Sequence, residues 1–122
     1  MKKLILLLSL VSAFATQAAE VRSARYIAAE DAVELEVSHG GGCGEHSYEL
    51  VMSDYCAESY PVQCAMTLVH HNHGDYCEAY LHRTVKVSVE HLNLKDGYFN
   101  GAGITVFGDN GTKAHFSLPF IR

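Results

Sequence analysis

Eight histidines fall within 122 residues, and three of them continue the parity of apolar runs. His39 extends the register of Val33, Leu35 and Val37. His46 opens that of Tyr48, Leu50 and Met52, and His70 closes that of Val62, Cys64, Met66 and Leu68. Residues two apart on a strand share a face, so all three imidazoles are expected on the core side, at strand ends. If 32–39, 46–53 and 62–70 pair as successive hairpins, His39 lies across from His46 and His46 near His70. Cross-strand Cβ atoms are then about 5 Å apart. Cys43, His73 and Asp75 would lie beside them. Neutral imidazole is a ligand for zinc, copper and nickel, and three histidines with an open position form a metal arrangement. The expected ligands are therefore His39, His46 and His70, with His73 and Asp75 as further candidates and zinc or copper as the ion. The bland alternative is that these histidines bond backbone carbonyls or water and close a partly wet core end. A register slip of one residue would turn each to the other face. Adjacent strand residues point opposite ways, so His70 and His71 cannot both face inward.

Other chemistries find less support. Ser47, Ser53 and Ser59 lack the strand–turn–helix context of an activated serine. Glu45, Glu49 and Glu58 read as a solvated acidic face. Tyr55, Tyr60, Tyr76 and Tyr80 flank the cysteines and are expected to cover the disulfides; a binding surface is the alternative. No catalytic residue is assigned.

The compartment follows from the first residues. Lys2 and Lys3 precede an apolar stretch from Leu4 to Phe14, then small residues at Ala15, Thr16, Ala18 and Ala19. This is the layout of a secretory signal, with cleavage expected after Ala18, leaving residues 19–122 as one domain in the periplasm or the medium. The stretch is too short to span a bilayer stably. Cys43, Cys56, Cys64 and Cys77 are then expected as two disulfides, since exported chains use an even cysteine count that way and no C-x-x-C spacing suggests zinc. The same hairpins put Cys43 and Cys77 at one end of the sheet and Cys56 and Cys64 at the other, favouring the pairs Cys43–Cys77 and Cys56–Cys64. Loss of Lys2 and Lys3 moves the formal charge from −5 to −7. Such an acidic domain is a poor match for nucleic acid or anionic lipid. A protein, a glycan or a metal ion remain as partners.

The elements that must position these residues are strands. Period-two alternation recurs at 33–37, 48–52, 62–68, 85–89 and 114–120, with weaker strands at 21–28 and 103–107. Asp109-Asn110-Gly111 is a hairpin signal, and Gly40-Gly41-Gly42 with Gly44 makes a permissive loop. Residues 91–102 are irregular, with room for one helical turn. About seven short strands predict an all-β fold, a small antiparallel β-sandwich of immunoglobulin-like type, with a small barrel as the alternative.

The run Gly40-Gly41-Gly42-Cys43-Gly44-Glu45-His46, with Pro61-Val62-Gln63, Leu68-Val69-His70 and Asp75-Tyr76-Cys77 after it, resembles small exported bacterial β domains. Their signature is GGGC-x-x-H followed by D-x-C. The resemblance covers roughly residues 33 to 90. It implies a β domain with a Cys43–Cys77 link, and it puts Cys43, His46, His70, Asp75 and Cys77 in motif positions. The chain departs from lipoprotein-like members in lacking a lipobox cysteine. Together these readings describe an exported, non-catalytic binding module. A periplasmic metal-binding protein or metalloenzyme using the histidines, and a structural envelope protein, are the alternatives.

Overall fold

The computed structural model describes residues 19–54 and 56–120. Residues 1–18, which the expected signal segment occupies, lie outside the described residues, as do Tyr55 and residues 121–122. Seven strands follow in order: β1 (Glu20–Ile27), β2 (Ala32–Gly41), β3 (Glu45–Met52), β4 (Gln63–His73), β5 (Ala79–Ser88), β6 (Gly103–Phe107) and β7 (Lys113–Ser117). Two single-turn 3-10 helices, Glu90–Leu92 and Gly97–Phe99, occupy the irregular stretch before β6. No helix among the described residues is long and apolar enough to cross a membrane.

The strands form two sheets, β1-β2-β5 and β3-β4-β6-β7, packed as a sandwich rather than closed into a barrel. Alternation chose the faces correctly except at the end of the 114–120 run, where β7 stops at Ser117 and Phe120 is exposed. Val33, Leu35 and Val37 from β2 are buried against the other sheet's Leu50, Met66, Ile104 and Val106. Each such side chain contributes about 1.5–3 kcal/mol on leaving water. Asn110 and Gly111 take positive φ in the β6–β7 connection, as Asn-Gly favours. One long side of the sandwich is joined where β1 lies against β7, with Val21 N–H donating to Thr112 Oγ1 and Asp109 N–H to Ala19 C=O. At the other side the edge strands β3 and β5 face each other.

Two pairings differ from the sequence expectation. β2 and β3 are not a hairpin: β2 pairs with β1 and β5, and β3 pairs with β4. The glycine loop therefore carries the chain from one sheet to the other. Strand parity fixes which face is apolar but not which strand lies alongside, and the ten residues of β5 pair with β2 along its whole length. The second difference is that β4 and β6 run parallel, in a sheet otherwise antiparallel.

The disulfides are Cys43–Cys77 and Cys56–Cys64, with Cα separations of 5.8 and 4.4 Å. The expected pairing holds, but the reason for the first changes. Cys43 lies in the β2–β3 connection and Cys77 in the β4–β5 connection. Both connections cross between the sheets at the same end, so this bond ties one crossing to the other. The disulfides also indicate an oxidising, non-cytoplasmic compartment. Tyr60 and Tyr76 are 87 % and 83 % exposed and Tyr80 is exposed too, so these three do not cover the disulfides as expected. Tyrosine's polar tip tolerates water; Tyr60 and Tyr76 lie in loops, and Tyr80 lies on the edge strand β5.

Candidate metal centre

The two crossings build the site. Asp75 is fully buried, and its carboxylate collects every donor around it. The amides of Gly42 and Cys43 donate to Oδ2 at 2.8 and 3.0 Å, and the Cys77 amide to Oδ1 at 3.1 Å. Asn72 fixes the turn that presents Asp75. Its Oδ1 accepts the Asp75 amide and its Nδ2 donates to the Asp75 carbonyl, both at 2.7 Å. Burial pushes the Asp75 carboxyl pKa up, but the hydrogen bonds from His46 and the backbone amides outweigh it and hold the group well below the usual carboxylate range.

The glycines explain how the backbone comes so close. A Cβ built on Gly41, whose φ is +148°, would stand 2.7 Å from Asp75 Oδ2 and 2.8 Å from His46 Nε2. Only a residue without a side chain fits that position without displacing the pair.

Asp75 then fixes His46. Nε2 of His46 lies 2.8 Å from Asp75 Oδ2, and a carboxylate only accepts, so the proton sits on Nε2. Nδ1 is left facing His70 Nε2 at 2.8 Å. His39 is fixed in the same manner from the other sheet. Its Nδ1 lies 2.9 Å from the Gly40 carbonyl and so carries the proton, leaving the Nε2 lone pair 2.6 Å from the Tyr48 hydroxyl, which donates to it. Burial lowers the His39 pKa, keeping the ring neutral.

The three imidazoles converge as the parity predicted. Ring centroids are 4.6 Å apart for His39 and His46, 4.0 Å for His39 and His70, and 4.9 Å for His46 and His70. One ligating nitrogen from each lies within 4.8 Å of the others. Three imidazoles on a tetrahedral ion, with metal–nitrogen bonds near 2 Å, hold their centroids about 5 Å apart. The cluster is thus slightly tighter than a loaded site and would open by a few tenths of an ångström to about 1 Å. His39 and His70 are buried, and the His46 side chain is wholly so.

The convergence does not come from the expected hairpin. His39 and His46 meet across the two sheets, one strand end above the other, while His46 and His70 are diagonal neighbours in the β3–β4 pair, where Tyr48 opposes His70. Asp75 is in the site, behind His46 rather than on the ring cluster. His73 is outside it: the side chain is exposed on the opposite face of β4, its Nε2 bonded to Ser47 Oγ at 2.8 Å. Sequence reasoning overlooked Tyr48 and Asn72 as site residues. Tyr48 shares the inward parity of Leu50, and Asn72-x-Gly-Asp75 has the side-chain chemistry of a self-bonded turn, so both signals were present.

No protein-family model matches the chain, and no curated protein matches its sequence. Its fold is similar to that of a crystal structure from Bacteroides vulgatus described as a DUF1344 protein of unknown function, with a TM-score of 0.54 at 9 % identity. The match covers 93 % of this chain and 53 % of that one, so the chain spans about half the length of the solved structure. At that identity the likeness speaks for the fold alone.

Proposed function

We propose that this domain is an exported binding protein for a late first-row transition-metal ion, zinc or copper, held by His39, His46 and His70. The observation that carries the reading is the anchoring of two rings from behind. Metal-ligating histidines commonly hand their other N–H to a carboxylate or a carbonyl, which fixes the tautomer and aims the free lone pair. His46 does so with Asp75 and His39 with Gly40, and their remaining nitrogens turn toward His70 and Tyr48. His70 Nε2 donates to the bare His46 Nδ1 in the metal-free cluster, so it gives up that proton when it reaches the ion, and the Tyr48 oxygen lies next to His39. A buried cluster suits retention of an ion better than turnover of a substrate, and a small set of nitrogens is a poorer match to a protein or glycan than to a cation. The N-terminal signal layout and the disulfides support delivery to the periplasm or the medium.

Elemental analysis of the mature domain, purified without an affinity tag from the periplasm, tests the proposal. About one equivalent of zinc or copper should copurify, or rebind with micromolar or tighter affinity, on the order of −8 kcal/mol. His46→Ala should lose that ion while His115→Ala keeps it. Absence of binding, or binding that survives His46→Ala, would overturn the reading.

A further inference from the structure

The outer face of the β3–β4 pair carries a second group of ligating side chains that the buried cluster does not use. His71 and His73 are two residues apart on β4 and therefore project from the same side of the sheet, opposite to His70. Ser47 opposes His71 and Glu45 opposes His73 in the β3–β4 register. Glu49, two residues beyond Ser47, completes the patch, with its Oε1 2.9 Å from His71 Nε2. The His71 and Glu49 side chains are 48 % and 55 % exposed.

We infer that His71 and His73, with Glu49 and Glu45 beside them, form a solvent-exposed, exchangeable site for a divalent transition-metal ion of the nickel, copper or zinc kind. An extended strand holds the two imidazoles on one face with a single intervening residue, so binding the first nitrogen delivers the second. The donor set of two imidazole nitrogens and a carboxylate oxygen is one these borderline cations favour over calcium or magnesium. The two ring centroids are 6.5 Å apart, and two imidazoles on one ion need about 5 Å. The required closure is about 1.5 Å, within reach of rotation about the side-chain bonds of exposed residues. What holds the rings now is weak: the exposed His71–Glu49 contact contributes little, and the His73 contact is to a hydroxyl. The acidic chain, with its formal charge of −5, also favours cation approach. This site shares strands β3 and β4 with the buried cluster but none of its side chains, so either can be present without the other.

Retention of the untagged mature domain on an immobilised Ni²⁺ column, with calorimetric titration of Ni²⁺ at pH 7.5, tests the inference. The natural chain and His46→Ala should both be retained and should show a fast, micromolar-range site. The double variant His71→Gln/His73→Gln should elute early and lose at least tenfold in Ni²⁺ affinity, and Glu49→Gln should lose a few-fold. His91→Ala, which removes an exposed histidine on the 3-10 helix Glu90–Leu92, should behave as the natural chain. Because both substituted side chains are exposed, the double variant should keep the parent melting temperature within a degree or two, and that measurement separates lost binding from lost fold. Unchanged retention and affinity in the folded double variant would overturn the inference. So would loss of retention in His46→Ala with the double variant unaffected, which would assign the column contact to the buried cluster.

Discussion

His46 Nε2 stands 2.8 Å from Asp75 Oδ2, with both side chains withdrawn from solvent. This one contact joins strand β3 to the β4–β5 crossing and sets which nitrogen of His46 faces the cluster. All donors around Asp75 are N–H groups, so the carboxylate has no isosteric substitute. In Asp75→Asn the amide must turn its NH₂ toward either the Cys77 amide or the donors at Oδ2, and a donor then faces a donor. The variant should melt lower than the parent and bind zinc 10- to 100-fold more weakly, the usual effect of removing such an outer partner. Calorimetry on the folded variant checks this; parent-like affinity would detach Asp75 from the site.

Two glycines of the same region should respond differently to alanine. Gly41 has φ +148° and no room for a Cβ beside Asp75 and His46, whereas Gly74 has φ +88° and open space around it. Gly74→Ala should cost only the strain of a left-handed residue, about 1–2 kcal/mol. Gly41→Ala adds overpacking of the buried pair and should cost about 2–4 kcal/mol together with most of the metal affinity. Urea titration of the two variants side by side measures the difference. Equal costs would mean that the loop relaxes freely around Asp75.

The disulfides should separate stability from binding. Cys43–Cys77 encloses 34 residues of sequence separation and Cys56–Cys64 encloses 8. On loop-closure entropy the first stabilises by about 4 kcal/mol and the second by about 2.5 kcal/mol. Cys56 and Cys64 sit at the end of β4 remote from His70, so Cys56→Ala/Cys64→Ala should lower stability and leave metal affinity within twofold. Cys43→Ala/Cys77→Ala should lower both, because Cys43 and Cys77 each donate a backbone amide to Asp75. Unfolding curves and zinc titrations of the two double variants read the two effects independently.

Much of this was legible in the chain, and the limit was strand partnership. Parity placed His39, His46 and His70 inward because side-chain direction on a strand depends only on counting by two. The cysteine pairs came from the assumed hairpins and hold although the first of those hairpins does not form. Parity carries no information about neighbours, so the β2–β3 hairpin was expected where a sheet-to-sheet crossing stands. The parallel β4–β6 pair was missed for the same reason. The outcome at the histidines survived because a corner and a hairpin both bring residues 39 and 46 together at the end of a short loop. His73 failed on a simpler count: it lies three residues past His70 on a continuing strand and so faces the opposite side. The early part of β5 was invisible because Ala79 to Thr84 alternates no apolar residues, as befits an exposed edge.

Acid should destabilise the metal-free domain in two stages. The His39 pKa is lowered in the folded state, chiefly by burial. The folded state therefore binds that proton less readily than the unfolded chain, whose imidazole titrates near 6.5. The associated stability is present above about pH 6.5 and is lost as pH falls below it. Asp75 is also lowered, so its contribution holds above about pH 4 and is lost only below that. With chelator present, urea midpoints should decline from pH 7 to 5, and His39→Gln should flatten that segment while leaving the drop below pH 4. A flat parent profile between pH 7 and 5 would show that His39 protonates in place without cost.

Tyr48 gives the most direct reading of how the cluster is held before an ion arrives. Its hydroxyl donates to His39 Nε2 at 2.6 Å, occupying the lone pair that a metal needs. In the metal-free domain, Tyr48→Phe leaves that buried nitrogen without its donor, which should cost about 1–2 kcal/mol of stability. The ion restores a partner to the same nitrogen. Binding in the variant no longer has to displace the phenol, so part of the lost stability should reappear as affinity, up to about tenfold for 1.4 kcal/mol. The signature is therefore a pair of opposite changes: a lower melting temperature with chelator, and a larger rise in melting temperature on adding zinc. Measuring both with and without zinc distinguishes a competitor from a ligand. If Tyr48→Phe weakens zinc binding instead, the phenol oxygen belongs to the coordination sphere as a fourth donor beside His39, His46 and His70.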